Sequence, residues 1–128
     1  MITRQVLPKE TDLLLRLEED HFNDIKSKDI NPNKLQETFV AFANADGGEL
    51  WLGIEDRKVA TNRLNGFKNK EDANDHLHTL LEKTNPSVEN VDLEYVDLGV
   101  NGFLLHITIP KSTKVHYCAN GDCFLRSC

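Results

Sequence analysis

The stretch AFANADGGELWLGIED, residues 41–56, constrains the fold more than any other part of the chain. Gly47 and Gly48 interrupt an apolar run whose period changes on either side of them. Before the pair, Leu35, Phe39, Phe42 and Ala43 recur at helical spacing and form one buried stripe. Asn31 is placed to cap that helix and Pro32 to take its first position, where a missing N–H costs nothing. After the pair, alternation takes over: across 49–55, Leu50, Leu52 and Ile54 share one face of a strand while Trp51 takes the other. Gly47 and Gly48 read as the structural turn between the two, because glycine accepts the positive φ that closes a helix end. The predicted unit is a buried helix, a tight turn and a core strand that delivers Asp56 at its far end.

The same two periodicities organise the rest. Residues 9–17, with Leu13, Leu14 and Leu17, predict a short first helix, and 22–27 a strand. Residues 58–67 read as a small hairpin turning at Asn65-Gly66. Asn69, with Asp72 three positions on, predicts a capping box that opens a helix to about Lys83, ended before Pro86. Residues 91–98 and 103–109 predict a hairpin across Asn101-Gly102, with Leu105, Ile107 and Ile109 on one face and His106 and Thr108 on the other. A last hairpin over 116–126 turns at Asn120-Gly121 and sets Cys118 opposite Cys123. The sum is an α/β (α+β) single domain over 1–128: a mixed β-sheet with two main helices packed on one face, plus β-hairpins. At 128 residues, 39% hydrophobic and 28% charged, the chain has ordinary globular composition and length enough for one core.

No apolar run approaches membrane-spanning length and no signal-peptide pattern opens the chain, which predicts a cytoplasmic protein without membrane contact. A net charge of −6 opposes strong nonspecific binding to phosphate polymers. The charge is unevenly placed, however. Arg57, Lys58, Arg63, Lys68 and Lys70 follow Asp56 with no acid among them, whereas residues 71–128 carry nine acids and four bases. A basic loop directly after a carboxylate is suited to phosphate contact, with Lys26 as a further candidate; its alternative is a solvated surface loop.

The order of acid, acid-x-Lys, amphipathic helix and AFANADGGELWLGIED resembles the Schlafen AlbA-type domain. That family's pattern runs ES-xxx-EFK, AxANTxGGxLLIGVxDxG, vPxS and YxRxGS. The matching segments are EDHFNDIKS, AFANADGGELWLGIED, TIPKST and CFLRSC, spread from Leu17 to Cys128. Asp24 stands where the family commonly has Glu, and Asp20 where it has Ser; Glu18 takes the place of Glu19 if the register slips by one. The resemblance implies a DNA-binding domain at the N-terminus of a longer, bacterial-type transcriptional regulator, with DNA or RNA as partner. The family has also been labelled AAA-like. Against ATP, the chain has no G-x-x-x-x-G-K-[ST] loop, and its glycines follow a helix rather than a strand.

A second reading is enzymatic. On a strand Asp24 and Lys26 point to one face, Glu19 approaches from the preceding turn, and Asp56 arrives if the two strands pair. Clustered carboxylates suit Mg²⁺ or Mn²⁺, and a lysine neutralises charge developing on phosphate. Resemblance to Schlafen-type ribonucleases implies Glu19, Asp24 and Asp56 as metal-binding acids and Lys26 as the catalytic lysine of a metal-dependent endoribonuclease. A third reading is a protein-interaction module, for which exposed hairpin edges allow a homodimer. Cys118, Cys123 and Cys128 are spaced evenly by five, which is not a zinc pattern, and His116 is the only nearby fourth ligand. A reducing compartment keeps them as thiols. No Ser-His-Asp or Cys-His arrangement is legible from spacing.

Overall fold

The computed structural model describes residues 1–56 and 62–126. Its elements are β1 (Ile2–Gln5), α1 (Glu10–Leu15), β2 (Asn23–Lys26), α2 (Pro32–Asn44), β3 (Gly48–Leu52), α3 (Asn74–Glu82), β4 (Asp92–Asp97) and β5 (Phe103–Ile109). The strands form one mixed sheet in the order β1-β4-β5-β3-β2. The two edge pairs, β1 with β4 and β2 with β3, are parallel, and the central pairs are antiparallel.

Local chemistry explains the elements. Pro32 opens α2, and the Asn31 side chain accepts the Asn33 N–H at 2.8 Å. The helix buries Leu35, Phe39 and Phe42 against Leu50 and Leu52 of β3 and Leu105 and Ile107 of β5; Leu77 and Leu80 of α3 complete this core. Each such side chain contributes about 1.5–3 kcal/mol when fully buried. A turn of 3₁₀ helix (Lys70–Ala73) leads into α3, and Asp72 accepts the Asn69 N–H as half of a capping box. The two main helices thus cover one sheet face. On the other face a smaller cluster gathers Leu14 of α1 with Trp51, Ile54, Val96 and Leu104.

Three local expectations change. Ile54 belongs to this second cluster rather than beside Leu50 and Leu52. Gly53, at φ +107°, breaks the alternation and turns the following residue to the opposite face. Of the hairpin over 58–67, residues 57–61, and with them Arg57 and Lys58, lie outside the described residues. In the described part Leu64 bridges Ile54, but Asn65-Gly66 is not a turn. The Asn65 N–H instead donates to the Gly53 carbonyl and the Gly66 N–H to that of Asn101, both at 2.8 Å.

The third change concerns residues 116–126, which form no strand. They turn tightly around Gly121, and the Cys118 N–H donates to the Asp122 carbonyl, so Cys118 faces Asp122 rather than Cys123. Side chains of α2 hold this segment. Asn44 accepts the His116 N–H and donates to the His116 and Phe124 carbonyls, and Gln36 accepts the Ala119 N–H. Cys118 and Cys123 are free thiols, and Cys128 lies outside the described residues. Burial pushes the Cys118 thiol above its usual value. Edge strand β1 and the 3₁₀ turn Gly99–Asn101 within the β4–β5 connection carry no strong sequence signal.

Candidate nucleic-acid interface

β2 ends in Lys26, and the structure brings it to Glu19 and Asp24. The Lys26 ammonium lies 3.5 Å from Glu19 Oε1 and 3.4 Å from Asp24 Oδ1. Asp24 is 2% exposed. Arg126 shields it from above: Nη1 donates to Asp24 Oδ2 at 2.9 Å, and Nη2 donates to the carbonyls of Asp20 and Asn23. The guanidinium lies 4.3 Å from the centroid of the Phe42 ring, so one cation joins the last described residue to α2 and β2. The neighbouring Asp24 carboxylate, through a hydrogen bond, holds the Glu19 carboxyl above its usual range, and burial adds to this.

Asp24 pairs in register with Leu50 and Lys26 with Leu52, so Asp56 lies well beyond the paired ends, past the bend at Gly53. Glu55 is the acid that reaches back toward β2, accepting from Ser27 Oγ at 2.9 Å and from Asn65 Nδ2 at 3.3 Å. Among the described residues, no three His, Cys, Asp or Glu side chains meet in a group that could hold a metal ion. The two carboxylates that do meet face Lys26 and Arg126. As arranged, this donor set does not fit Mg²⁺ or Mn²⁺, whose oxygen ligands must face the ion rather than resident cations. The turn glycines are explained by packing. A Cβ on Gly47 would stand 2.4 Å from the Ile109 carbonyl oxygen, and one on Gly48 would stand 2.5 Å from the Phe42 ring.

The basic residues divide by environment. Arg63 is 7% exposed, and its guanidinium donates to the carbonyls of Leu15, Leu17 and Glu55. It ties the end of α1 to the chain beyond β3, which removes it from the phosphate-facing surface expected of it. Lys70 is 3.2 Å from Thr3 Oγ1 and lies over the Phe103 ring, beside edge strand β1.

Lys68 lines an open groove of about 450 Å³ together with Lys28, a residue outside the basic run that follows Asp56. Asn62, Asn65 and Asn101 line it with Leu64, Gly66 and the Gly99–Gly102 turn. Asn62 Nδ2 donates to Asn101 Oδ1 at 3.2 Å and Asn65 Nδ2 to Glu55 Oε1 at 3.3 Å, which leaves each of these donating amides one further N–H. Val100 stands fully exposed on that turn. Two cations, amide donors and acceptors, and a nucleotide-sized opening can meet both a phosphate and a base edge. The signal available for Lys28 is its position two residues after Lys26; the asparagines are scattered in sequence, and only the fold gathers them.

The sequence family described as Schlafen, AlbA_2 matches residues 19–127. Among solved structures, the crystal structure of the DIP2311 protein from Corynebacterium diphtheriae is similar with a TM-score of 0.60 at 16% identity. The match covers 93% of this chain and 28% of that one, so the chain spans under a third of that protein's length. At that identity the likeness is one of fold. No curated protein matches the chain. No helix among the described residues is long and apolar enough to cross a membrane.

Proposed function

Because the chain belongs to the Schlafen, AlbA_2 family, we propose that it is a cytoplasmic nucleic-acid-binding domain, with DNA as its polymer and transcriptional regulation as its context. The observation that carries this reading is the groove between Lys28 and Lys68. In a chain of net charge −6, a concave site holding two lysines and three asparagines is where a polyanion gains cationic contacts, with Asp29 and Asp72 lining the adjoining recess beside the same lysines. Phosphates engage the ammonium groups and set the register, while the asparagine amides are the groups able to read a base edge.

The second reading, metal-dependent ribonuclease chemistry at Glu19, Asp24, Lys26 and Asp56, is favoured by one observation, the gathering of the Glu19 and Asp24 carboxyl groups around the Lys26 ammonium at 3.5 and 3.4 Å. It requires Arg126 to leave Asp24 and a third acid to join the pair around one ion, and for that reason we place binding ahead of cleavage.

One experiment separates the readings. Labelled duplex DNA, single-stranded DNA and tRNA are titrated by fluorescence anisotropy at several salt concentrations, with Mn²⁺ or EDTA. Binding in the groove gives an affinity that falls with salt. Lys28→Ala and Lys68→Ala each flatten the log–log slope by about 0.9 on duplex DNA for every phosphate left without its lysine. Mn²⁺-dependent cleavage of tRNA, abolished by Asp24→Ala, would replace the binding reading with the nuclease. Self-association with neither binding nor cleavage would replace it with an interaction module that forms a homodimer.

A further inference from the structure

His116 is 1% exposed, and both of its ring nitrogens are engaged. Nδ1 lies 2.6 Å from the Pro86 carbonyl oxygen and Nε2 2.6 Å from Ser112 Oγ. A carbonyl only accepts, so Nδ1 carries the hydrogen in that contact. In the neutral ring Nε2 is then a lone pair, and the Ser112 hydroxyl must donate to it. Ser112 Oγ in turn accepts the Lys114 N–H at 3.1 Å. The result is a hydroxyl polarised by a buried base that a third group holds in one tautomer, the relation found in activated serine nucleophiles.

The surroundings suit access as well as activation. Ser112 is half-buried and lines a cavity of about 210 Å³. Lys111 and Lys114 line the same cavity, opposed by Glu89. The loop is held firmly. The Ser112 N–H donates to the Ala43 carbonyl at 3.3 Å, and Asn44 fixes the His116 backbone through its N–H and its carbonyl. Nothing in the groove between Lys28 and Lys68 uses these residues.

We propose that Ser112 and His116 form a second reactive centre, in which Ser112 is a covalent nucleophile toward small, negatively charged esters. In the first step the Ser112 Oγ–carbon bond forms and the bond from that carbon to the leaving oxygen breaks. The hydroxyl proton passes to His116 Nε2 and from there to the leaving alkoxide. Water then repeats the sequence: it loses a proton to Nε2, attacks the acyl carbon and returns Ser112 as the hydroxyl. Pro86 holds the ring while it carries two protons, and Lys114, beside a Lys111 ammonium that lies 3.8 Å from Asp46 Oδ1, favours an anionic substrate over a neutral one.

A fluorophosphonate reports on this chemistry without knowledge of the natural ester. It forms a stable Oγ–phosphorus bond, releases fluoride and leaves the proton to His116 and then to solvent. Treatment of the native domain should add one probe mass, located on Ser112 by peptide mass spectrometry and absent from heat-unfolded protein. Ser112→Ala should lose the adduct while keeping a native far-UV circular dichroism spectrum and a cooperative transition, its midpoint lowered only modestly because the buried His116 Nε2 gives up its donor. His116→Gln should slow labelling at least a hundredfold, the scale of one general base. Because His116 is buried, Ser112→Cys supplies a test that leaves the ring in place: its introduced thiol should react with iodoacetamide at least tenfold faster than the exposed Cys123 of the same chain. Absence of an adduct on the native protein, an adduct unchanged in Ser112→Ala, or a Ser112→Cys thiol no faster than Cys123 would each overturn the proposal and leave the pair as a clamp between the two loops.

Discussion

Arg63 serves three backbone carbonyls, those of Leu15, Leu17 and Glu55. Arg63→Ala strips a buried donor fork from all three at once, and each acceptor that gives up its donor costs on the order of 1 kcal/mol or more. The expected loss is about 2–4 kcal/mol in urea unfolding, with the transition remaining cooperative. Arg63→Lys should recover little of it, because one ammonium cannot span three separated acceptors. A side chain expected at the phosphate surface turns out to be an internal brace, and the reason is general. Sequence shows charge but not burial, and a basic run such as Arg57–Lys70 looks uniform until the fold sorts it. Asp24 and Lys26 were legible as a same-face pair because the two-residue period of a strand decides it. Arg126 and Lys28 were not legible as partners of a site, since no local period links residue 126 to residue 24.

At the scale of elements, the helix–turn–strand unit was the most legible part of the chain. Asn31, Pro32 and the stripe of Leu35, Phe39 and Phe42 each carry a local reason, and those reasons agree. The turn itself is set by neighbours that sequence does not show. Gly47 has φ +75°, and its missing Cβ leaves room for the backbone of 109–111. Gly47→Ala therefore combines a disfavoured backbone conformation with a collision against backbone atoms, which cannot rotate away. The expected destabilisation exceeds about 2 kcal/mol, measured as a lowered urea midpoint. Gly121, which also has positive φ but open space around it, is the control: Gly121→Ala retains only the conformational part of the cost. The face change at Gly53 and the strandless segment 116–126 were missed for related reasons. Turn-forming dipeptides such as Asn120-Gly121 announce a reversal, but they do not show whether the flanking residues pair with each other or are captured by a helix, as Asn44 and Gln36 do here.

Over the whole molecule, the sheet face opposite the main helices carries a charge network that ties four strands, β1, β4, β5 and β3, together. Arg4 pairs with Glu10 and Glu94, and His106 lies between Glu94 and Glu49 while stacking on Trp51 with centroids 3.7 Å apart. The Arg4 hydrogen bonds hold the Glu10 carboxyl below its ordinary 4.5, outweighing burial. Burial pushes the Glu94 carboxyl up, but hydrogen bonds from His106 and Arg4 outweigh it and leave that group lowered as well. A carboxylate lowered in the folded state contributes stability above its unfolded value, and that contribution disappears as pH falls through the folded value. Glu19, which is raised, has the opposite sign: its contribution is complete below its unfolded value and is lost as pH rises through the raised one. Glu10 and Glu94, together with Asp20 and Asp46, which hydrogen bonds also hold low, outnumber this one raised acid, so the urea midpoint should drop on acidification from about pH 5 to about pH 3. Arg4→Met should flatten that dependence.

The same network marks the place where the two ends of the sheet's history meet. Arg4 and Glu94 are 90 positions apart, and β1 adds parallel to β4 at the outer edge of the sheet. On a ribosome the first strand emerges long before its partner is made, and it must wait unpaired through the synthesis of both main helices. Its exposed Ile2 and its free backbone groups are open to solvent, and to other chains, for that whole interval. This edge strand is thus made well before the partner it pairs with, and Arg4, by pairing with both Glu10 and Glu94, is the charge that registers their meeting.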